Sequence, residues 1–169
     1  MVSKLDHLWA GWRSNYVSSS SAETQRTGGC VFCDLMASDA PATETFVVTK
    51  NKLGAAILNA YPYGTGHVLL LPRRHVGQLD ELTPEESLAV WQLTQDAIAA
   101  IKQAYGPDGF NIGANLGTAG GAGIPDHLHM HALPRWNADT NFSTTIANTR
   151  ILPEPLGTTL EKLQAAWPS

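Results

Sequence analysis

One stretch of this chain constrains its fold more than any other: Asp126-His127-Leu128-His129-Met130-His131-Ala132-Leu133. Histidine alternates here with apolar residues at a period of two, which is the period of a β-strand. On a strand the three imidazoles share one face. Leu128, Met130 and Ala132 share the other, where they can enter a core. Same-face neighbours stand roughly 6.5–7 Å apart along a strand, a spacing that suits a metal, an anion or a reacting centre. A solvated strand face would instead carry Thr, Lys and Glu. A metal site made of histidines alone is the alternative that spacing leaves open.

The segment Gly117-Thr118-Ala119-Gly120-Gly121-Ala122-Gly123 leads into this strand. Glycine lets backbone N–H groups approach an anion closely. Alone, such a loop reads equally well as a plain hairpin connection. Joined to the histidines, it points to phosphate chemistry.

The rest of the chain supplies a scaffold. Strands are predicted over Thr45–Thr49, Ala55–Asn59, His67–Pro72, Phe110–Leu116 and His127–Leu133. Thr83-Pro84-Glu85-Glu86 reads as a capping box with proline at the first helical position. A long helix follows to about Tyr105, with Leu88, Trp91, Ile98, Ile101 and Tyr105 on its apolar stripe and Val90, Ala97 and Ala104 widening it. Gly106-Pro107 stops it, and a C-terminal helix runs from about Thr158 to Trp167. Strands come in runs rather than alternating with helices, so the expected class is α+β: an antiparallel sheet of about five strands, one long helix and a C-terminal helix. Residues 1–29 read as an aromatic segment (Leu5, Leu8, Trp9, Trp12, Tyr16) and a polar linker, and residues 30–169 as the main domain.

Composition narrows the partners. The chain has 169 residues, a net charge of −4 and two cysteines, Cys30 and Cys33. The charge argues against nucleic acid or a membrane surface as partner. The apolar runs are too short to span a bilayer, and the N-terminus lacks a signal-peptide core, so the expected location is the cytoplasm. One cysteine pair in a reducing compartment makes no disulfide framework.

His127 to Leu133 resembles the signature of the histidine triad family of nucleotide hydrolases and transferases, His-φ-His-φ-His-φ-φ with φ apolar. Asn59-Ala60-Tyr61-Pro62, Gly66-His67-Val68 and Pro72-Arg73-Arg74-His75 resemble the family's second block, and Cys30-Val31-Phe32-Cys33 its N-terminal block. The resemblance implies the family's fold and a nucleotidyl-histidine mechanism. His129 would attack the α-phosphorus. His131 would contact the phosphate and the leaving oxygen, or orient the nucleophile from behind. Asn59 would hold the ribose or serve its turn, and Asn115 would touch phosphate or begin its loop. Family members with this cysteine pattern bind zinc through positions matching Cys30, Cys33, His75 and His127, which implies one closed, structural zinc per chain; a redox Cys-x-x-Cys is the rival, without a βαβ setting to support it. Homodimers are the family's usual state, and a homotetramer is the alternative.

This chain departs from the family where Gly123 and Ile124 replace a common Gln and Ser, so the amides of Ala122 and Gly123 would have to substitute. That departure, with Leu8-Trp9-Ala10-Gly11-Trp12-Arg13, Asn115-Leu116-Gly117-Thr118, Pro134-Arg135-Trp136 and Asn141-Phe142, resembles the bacterial diadenosine tetraphosphate phosphorylase-type branch. There inorganic phosphate, rather than water, accepts the nucleotidyl group. Hydrolysis of dinucleoside polyphosphates or phosphoramidates is the alternative, and a non-catalytic nucleotide-binding module the alternative of another class. Trp136 would stack on a base, seal a subunit contact or simply be buried. His67 is left to pack at a strand start, and Arg73 and Arg74 read as surface charges.

Overall fold

The computed structural model describes residues 29–139 and 152–168. The N-terminal aromatic segment, its linker up to residue 28 and the Asn141-Phe142 pair lie outside them. The described chain runs α1 (Val31–Ala37), α2 (Ala42–Thr45), β1 (Val47–Lys50), β2 (Gly54–Leu58), β3 (Val68–Pro72), a 3-10 turn (Leu79–Glu81), α3 (Pro84–Tyr105), β4 (Gly109–Ala114), β5 (Met130–Arg135) and α4 (Leu156–Ala166). The five strands form one antiparallel sheet in the order β1-β2-β3-β5-β4. The α+β expectation holds.

The central strands Gly-Ala-Ala-Ile-Leu and Val-Leu-Leu-Leu-Pro are buried along their whole length. A strand with both faces covered reads as a continuous apolar run rather than an alternating one. One face, through Ala56, Leu58, Val68, Leu70 and Ala132, packs on α3 and α4. The other, through Ala55, Ile57, Leu69 and Leu71, packs on Phe32 and Met36 of α1. His131 sits opposite Leu69 in the β3–β5 ladder, so the histidine face and α1 lie on the same side of the sheet.

Helix α3 begins as its sequence dictates. Thr83 accepts from the Glu86 N–H at 3.2 Å, and Glu86 returns the bond to the Thr83 N–H at 2.9 Å. Gly106 ends it in the left-handed conformation at φ 57°. Its buried stripe is Val90, Leu93, Thr94, Ala97, Ala100 and Ile101. Leu88 and Trp91, placed on the apolar stripe from the sequence, are 68% and 54% exposed. The helix carries apolar residues on more than one face, and the face with alanines can come closest to the sheet.

Two further elements differ from the sequence reading. Cys30-Val31-Phe32-Cys33 opens a short helix, with Cys30 at its N-cap, and β5 starts at Met130 rather than at His127.

Gly54 lies where the sheet meets α3. A Cβ there would stand 2.7 Å from the Leu71 carbonyl oxygen and 2.8 Å from a Leu93 methyl. Gly54→Ala therefore forces strand or helix to shift, and we expect it to lower unfolding free energy by about 1–3 kcal/mol. Urea denaturation measures this; an unchanged midpoint would show that the contact is easily relieved.

Candidate active site

The four groups Cys30, Cys33, His75 and His127 converge. Their ligand atoms all lie within 4.8 Å of one another. Cys30 Sγ is 3.3 Å from His127 Nδ1, and Cys33 Sγ is 3.5 Å from Nδ1 of both His127 and His75. His127 is fully buried, and its Nε2–H donates to the Pro72 carbonyl at 3.0 Å. A carbonyl can only accept, so the proton sits on Nε2 and the Nδ1 lone pair faces the sulfurs. That is the second-site hydrogen bond a metal-binding imidazole needs. Both thiols are free. Burial, and after it the neighbouring Cys30, push the Cys33 thiol upward. A divalent cation reverses that balance by favouring thiolates. Two sulfurs and two imidazole nitrogens suit zinc, with no ligand position left open. An open cavity of about 670 Å³, bordered by His75, Gly77, Glu81 and Asp126, adjoins the cluster.

His127 also organises its neighbour. Its backbone carbonyl accepts from His129 Nδ1–H at 2.8 Å. The proton is thus held on Nδ1, and Nε2 of His129 carries a free lone pair. Burial pushes the His129 pKa below its ordinary value, so the ring is neutral near pH 7. A neutral imidazole with one nitrogen pinned and the other bare is a nucleophile.

His131 is set the opposite way, by a residue to which the sequence had assigned no role. The Tyr63 N–H donates to His67 Nδ1 at 3.1 Å, so the His67 proton must sit on Nε2. That proton is donated to His131 Nδ1 at 2.9 Å. His131 therefore carries its own proton on Nε2, which is buried and has no partner among the described residues. Burial, and after it the neighbouring His129, brings the His131 pKa down to about 4. The site thus offers a bare nitrogen on His129 and a neutral N–H donor on His131, with ring centroids 5.1 Å apart. The signal for His67 was parity. It lies two residues before Leu69 on the face that carries His131, but only the β3–β5 pairing shows that the two rings meet.

The other expected residues surround this core to different degrees. The Asn59 side chain accepts from the Tyr61 N–H at 2.9 Å and approaches His67 Nδ1 at 3.3 Å. It both shapes the turn and borders the histidines. Asn115 reaches the Gly121 carbonyl at 3.5 Å. The glycine loop is a closed turn rather than a loose one. Ala122 N–H donates to Gly117 O at 3.1 Å and Gly121 N–H to Thr118 O at 3.0 Å, with Gly121 at φ 91°, as in a helix C-terminal motif. A Cβ at Gly120 would sit 2.3 Å from the Leu116 carbonyl oxygen. The Ala122 amide is thereby committed inside the loop. Trp136 stands half-buried just beyond β5, and its backbone closes a turn with Asp139. Arg74, read as a surface charge, pairs with Glu86 at 2.8 Å.

Comparison with known proteins agrees with this geometry. The sequence profile of the HIT domain matches residues 40–138. The chain is similar to the AP-4-A phosphorylase of Mycobacterium tuberculosis, at 37% identity over 97% of this chain and 85% of that protein. It is also similar to the asymmetrical bis(5'-nucleosyl)-tetraphosphatase of Schizosaccharomyces pombe, at 36% identity over 55% of this chain and 50% of that one. Among solved structures, a zinc-bound histidine triad family protein from Mycobacterium smegmatis superposes with a TM-score of 0.66 at 29% identity, over 82% of this chain and 92% of that chain.

The depressed His131 pKa has a consequence for stability. Between the ordinary 6.5 and about 4 the unfolded chain takes up a proton at this position that the native protein refuses. Stability is therefore full above pH 6.5, falls as pH drops through that window and stops responding to this group below it. His131→Asn should flatten the dependence of unfolding free energy on pH there, by up to about 1.4 kcal/mol per pH unit. Denaturation curves at several pH values test this, and parallel slopes for the two proteins would contradict it.

Proposed function

The chain belongs to the HIT domain family, and on that premise we propose that it cleaves dinucleoside polyphosphates such as diadenosine tetraphosphate at the α-phosphate, passing the nucleotidyl group through His129 to inorganic phosphate. The observation that carries this reading is the opposed setting of the two imidazoles. Among the described residues, His129 Nδ1–H is held by the His127 carbonyl, leaving Nε2 bare, and His131 Nε2–H is buried without a partner. A bare nitrogen beside a bare donor suits attack at phosphorus next to an oxygen gaining charge.

In the first step His129 Nε2 forms a bond to the α-phosphorus as the bond to the bridging oxygen breaks, and ATP leaves from diadenosine tetraphosphate. His131 Nε2–H meets the oxygen on which charge develops. It acts as a neutral donor, since its low pKa keeps the imidazolium form scarce near neutrality. In the second step a phosphate oxygen attacks the adenylyl-His129, the P–N bond breaks and ADP leaves. Cys30, Cys33, His75 and His127 would hold zinc, which supplies a fixed crosslink rather than an open coordination position.

Phosphate as acceptor draws support from the similarity to the phosphorylase, which spans nearly the whole chain. Gly123, where relatives often carry Gln, would leave room and a backbone amide for the acceptor phosphate. Asn59 would hold a ribose, Asn115 and the Gly123 amide the phosphates. Trp136 would meet a base or a second subunit. We further propose a cytoplasmic homodimer or homotetramer. A cysteine pair kept for a metal rather than for a disulfide suits a reducing compartment. Edge strand β4 leaves Asn111, Ile112 and Gly113 exposed for an association between subunits.

Two measurements test the reading. Purified protein given diadenosine tetraphosphate should release ATP and ADP only when inorganic phosphate is present; ATP plus AMP regardless of phosphate would identify a hydrolase instead. His129→Ala should lose at least about 1,000-fold in kcat, the scale of removing a nucleophile. Turnover surviving that substitution would refute the assignment.

A further inference from the structure

The nucleophile stands where the sheet no longer holds the chain. Paired β5 begins at Met130, so His127, Leu128 and His129 run ahead of the ladder. Their backbone is tied by Leu128 N–H to Val76 O at 2.7 Å and by His127 N–H to Ile124 O at 3.4 Å. Among the described residues, the His129 ring is held through one hydrogen bond, to a carbonyl two residues away. A single bond fixes a direction but leaves the ring free to swing about it.

The structure fills the space behind that ring with Phe32. Its centroid is 5.2 Å from that of His129, tilted by 58°, and 5.5 Å from that of His127, edge-on at 82°. Phe32 is buried in the α1 cluster with Met36, Ile57, Leu69 and Leu71. It also lies between the two cysteines, in the first turn of α1. The helix is secured at both ends. Cys30 and Cys33 belong to the metal cluster, and Lys50 Nζ donates to the Met36 and Ser38 carbonyls, at 3.0 Å each, at the other end.

We propose that Phe32 is a positioning residue for His129, and that the metal cluster serves the reaction by pressing this phenyl ring against the nucleophile. The inference rests on the reading of His129 as nucleophile. The ring blocks the rotation that would carry Nδ1–H away from the His127 carbonyl, and it keeps water from that hydrogen bond. Small misplacements of a reacting group are costly in rate, and a phenyl removed from a buried site leaves a void that its neighbours fill only in part. The cluster then acts on His129 by two routes: through the His127 backbone, and through Phe32 across the sheet face.

The test uses zinc-loaded Phe32→Ala and Phe32→Leu proteins, with metal content measured in each. Phe32→Ala should retain zinc and lose about 10- to 100-fold in kcat, while KM moves by less than about 3-fold. Phe32→Leu, which keeps most of the buried volume, should fall between it and the parent. Nitrogen-15 spectra of His129 without nucleotide should show the Nδ1–H tautomer alone in the parent and a mixture of tautomers in Phe32→Ala. A raised KM with kcat intact would make Phe32 a wall of the substrate site and overturn the proposal. So would a single tautomer in the alanine protein. If Phe32→Ala loses its metal, Phe32→Leu decides: mixed tautomers with reduced kcat support the proposal, and parental values of both overturn it. The spectra need no substrate. Mixed tautomers in a protein that turns over no nucleotide would therefore count against the proposed function, not against the role of Phe32.

Discussion

The pairing of β3 with β5 is the contact on which the rest of the molecule depends. It sets Leu69 opposite His131 and Val68 opposite Ala132, joining two stretches of chain separated by the whole of α3 and β4. One ladder then does three separate things. It completes the face that packs on α3 and α4, through Leu70 and Ala132. It brings His67 to His131. It places the Pro72 carbonyl where His127 Nε2–H can reach it. A slip of one residue would turn His131 toward α3 and α4, into the apolar face formed by Ala56, Leu58, Val68 and Leu70.

The electrostatics of the site follow from burial rather than from charge. The chain is net negative, and two described arginines close in sequence to the histidine blocks are held in ion pairs, Arg74 with Glu86 and Arg135 with Asp139. His129 and His131 are both pushed toward the neutral form. An anionic substrate would therefore be met by oriented N–H dipoles, which cost little reorganisation because the protein has already fixed them. Each proton position follows from a backbone group that can only donate or only accept: the Tyr63 amide, and the His127 and Pro72 carbonyls.

Much of this was legible in the residues themselves. Alternation in His127–Leu133 revealed the face, and the Thr83–Glu86 box located the start of α3, because both are local rules. The metal set was legible through resemblance rather than through spacing, since His75 and His127 are far apart in sequence. What escaped depended on distant contacts. His67 looked like packing because its partner lies across a strand pairing that no local pattern encodes. Leu88 and Trp91 looked like core because size was read ahead of the alanine face that approaches the sheet. Cys30–Cys33 was not read as a helix start because its capping residue is a cysteine, which lacks the side-chain oxygen of an ordinary cap.

The metal cluster spans 97 positions, from Cys30 to His127. A ribosome adding about 5–20 residues per second exposes the thiol pair roughly 5–20 s before the histidine that completes its site can emerge. During that interval the cysteines are a nascent, half-built chelate, open to stray metals and oxidants. The last ligand arrives on the same segment as His129, the proposed nucleophile. The order of synthesis thus makes capture of the ion and assembly of the reactive centre nearly one event, late in the life of the growing chain.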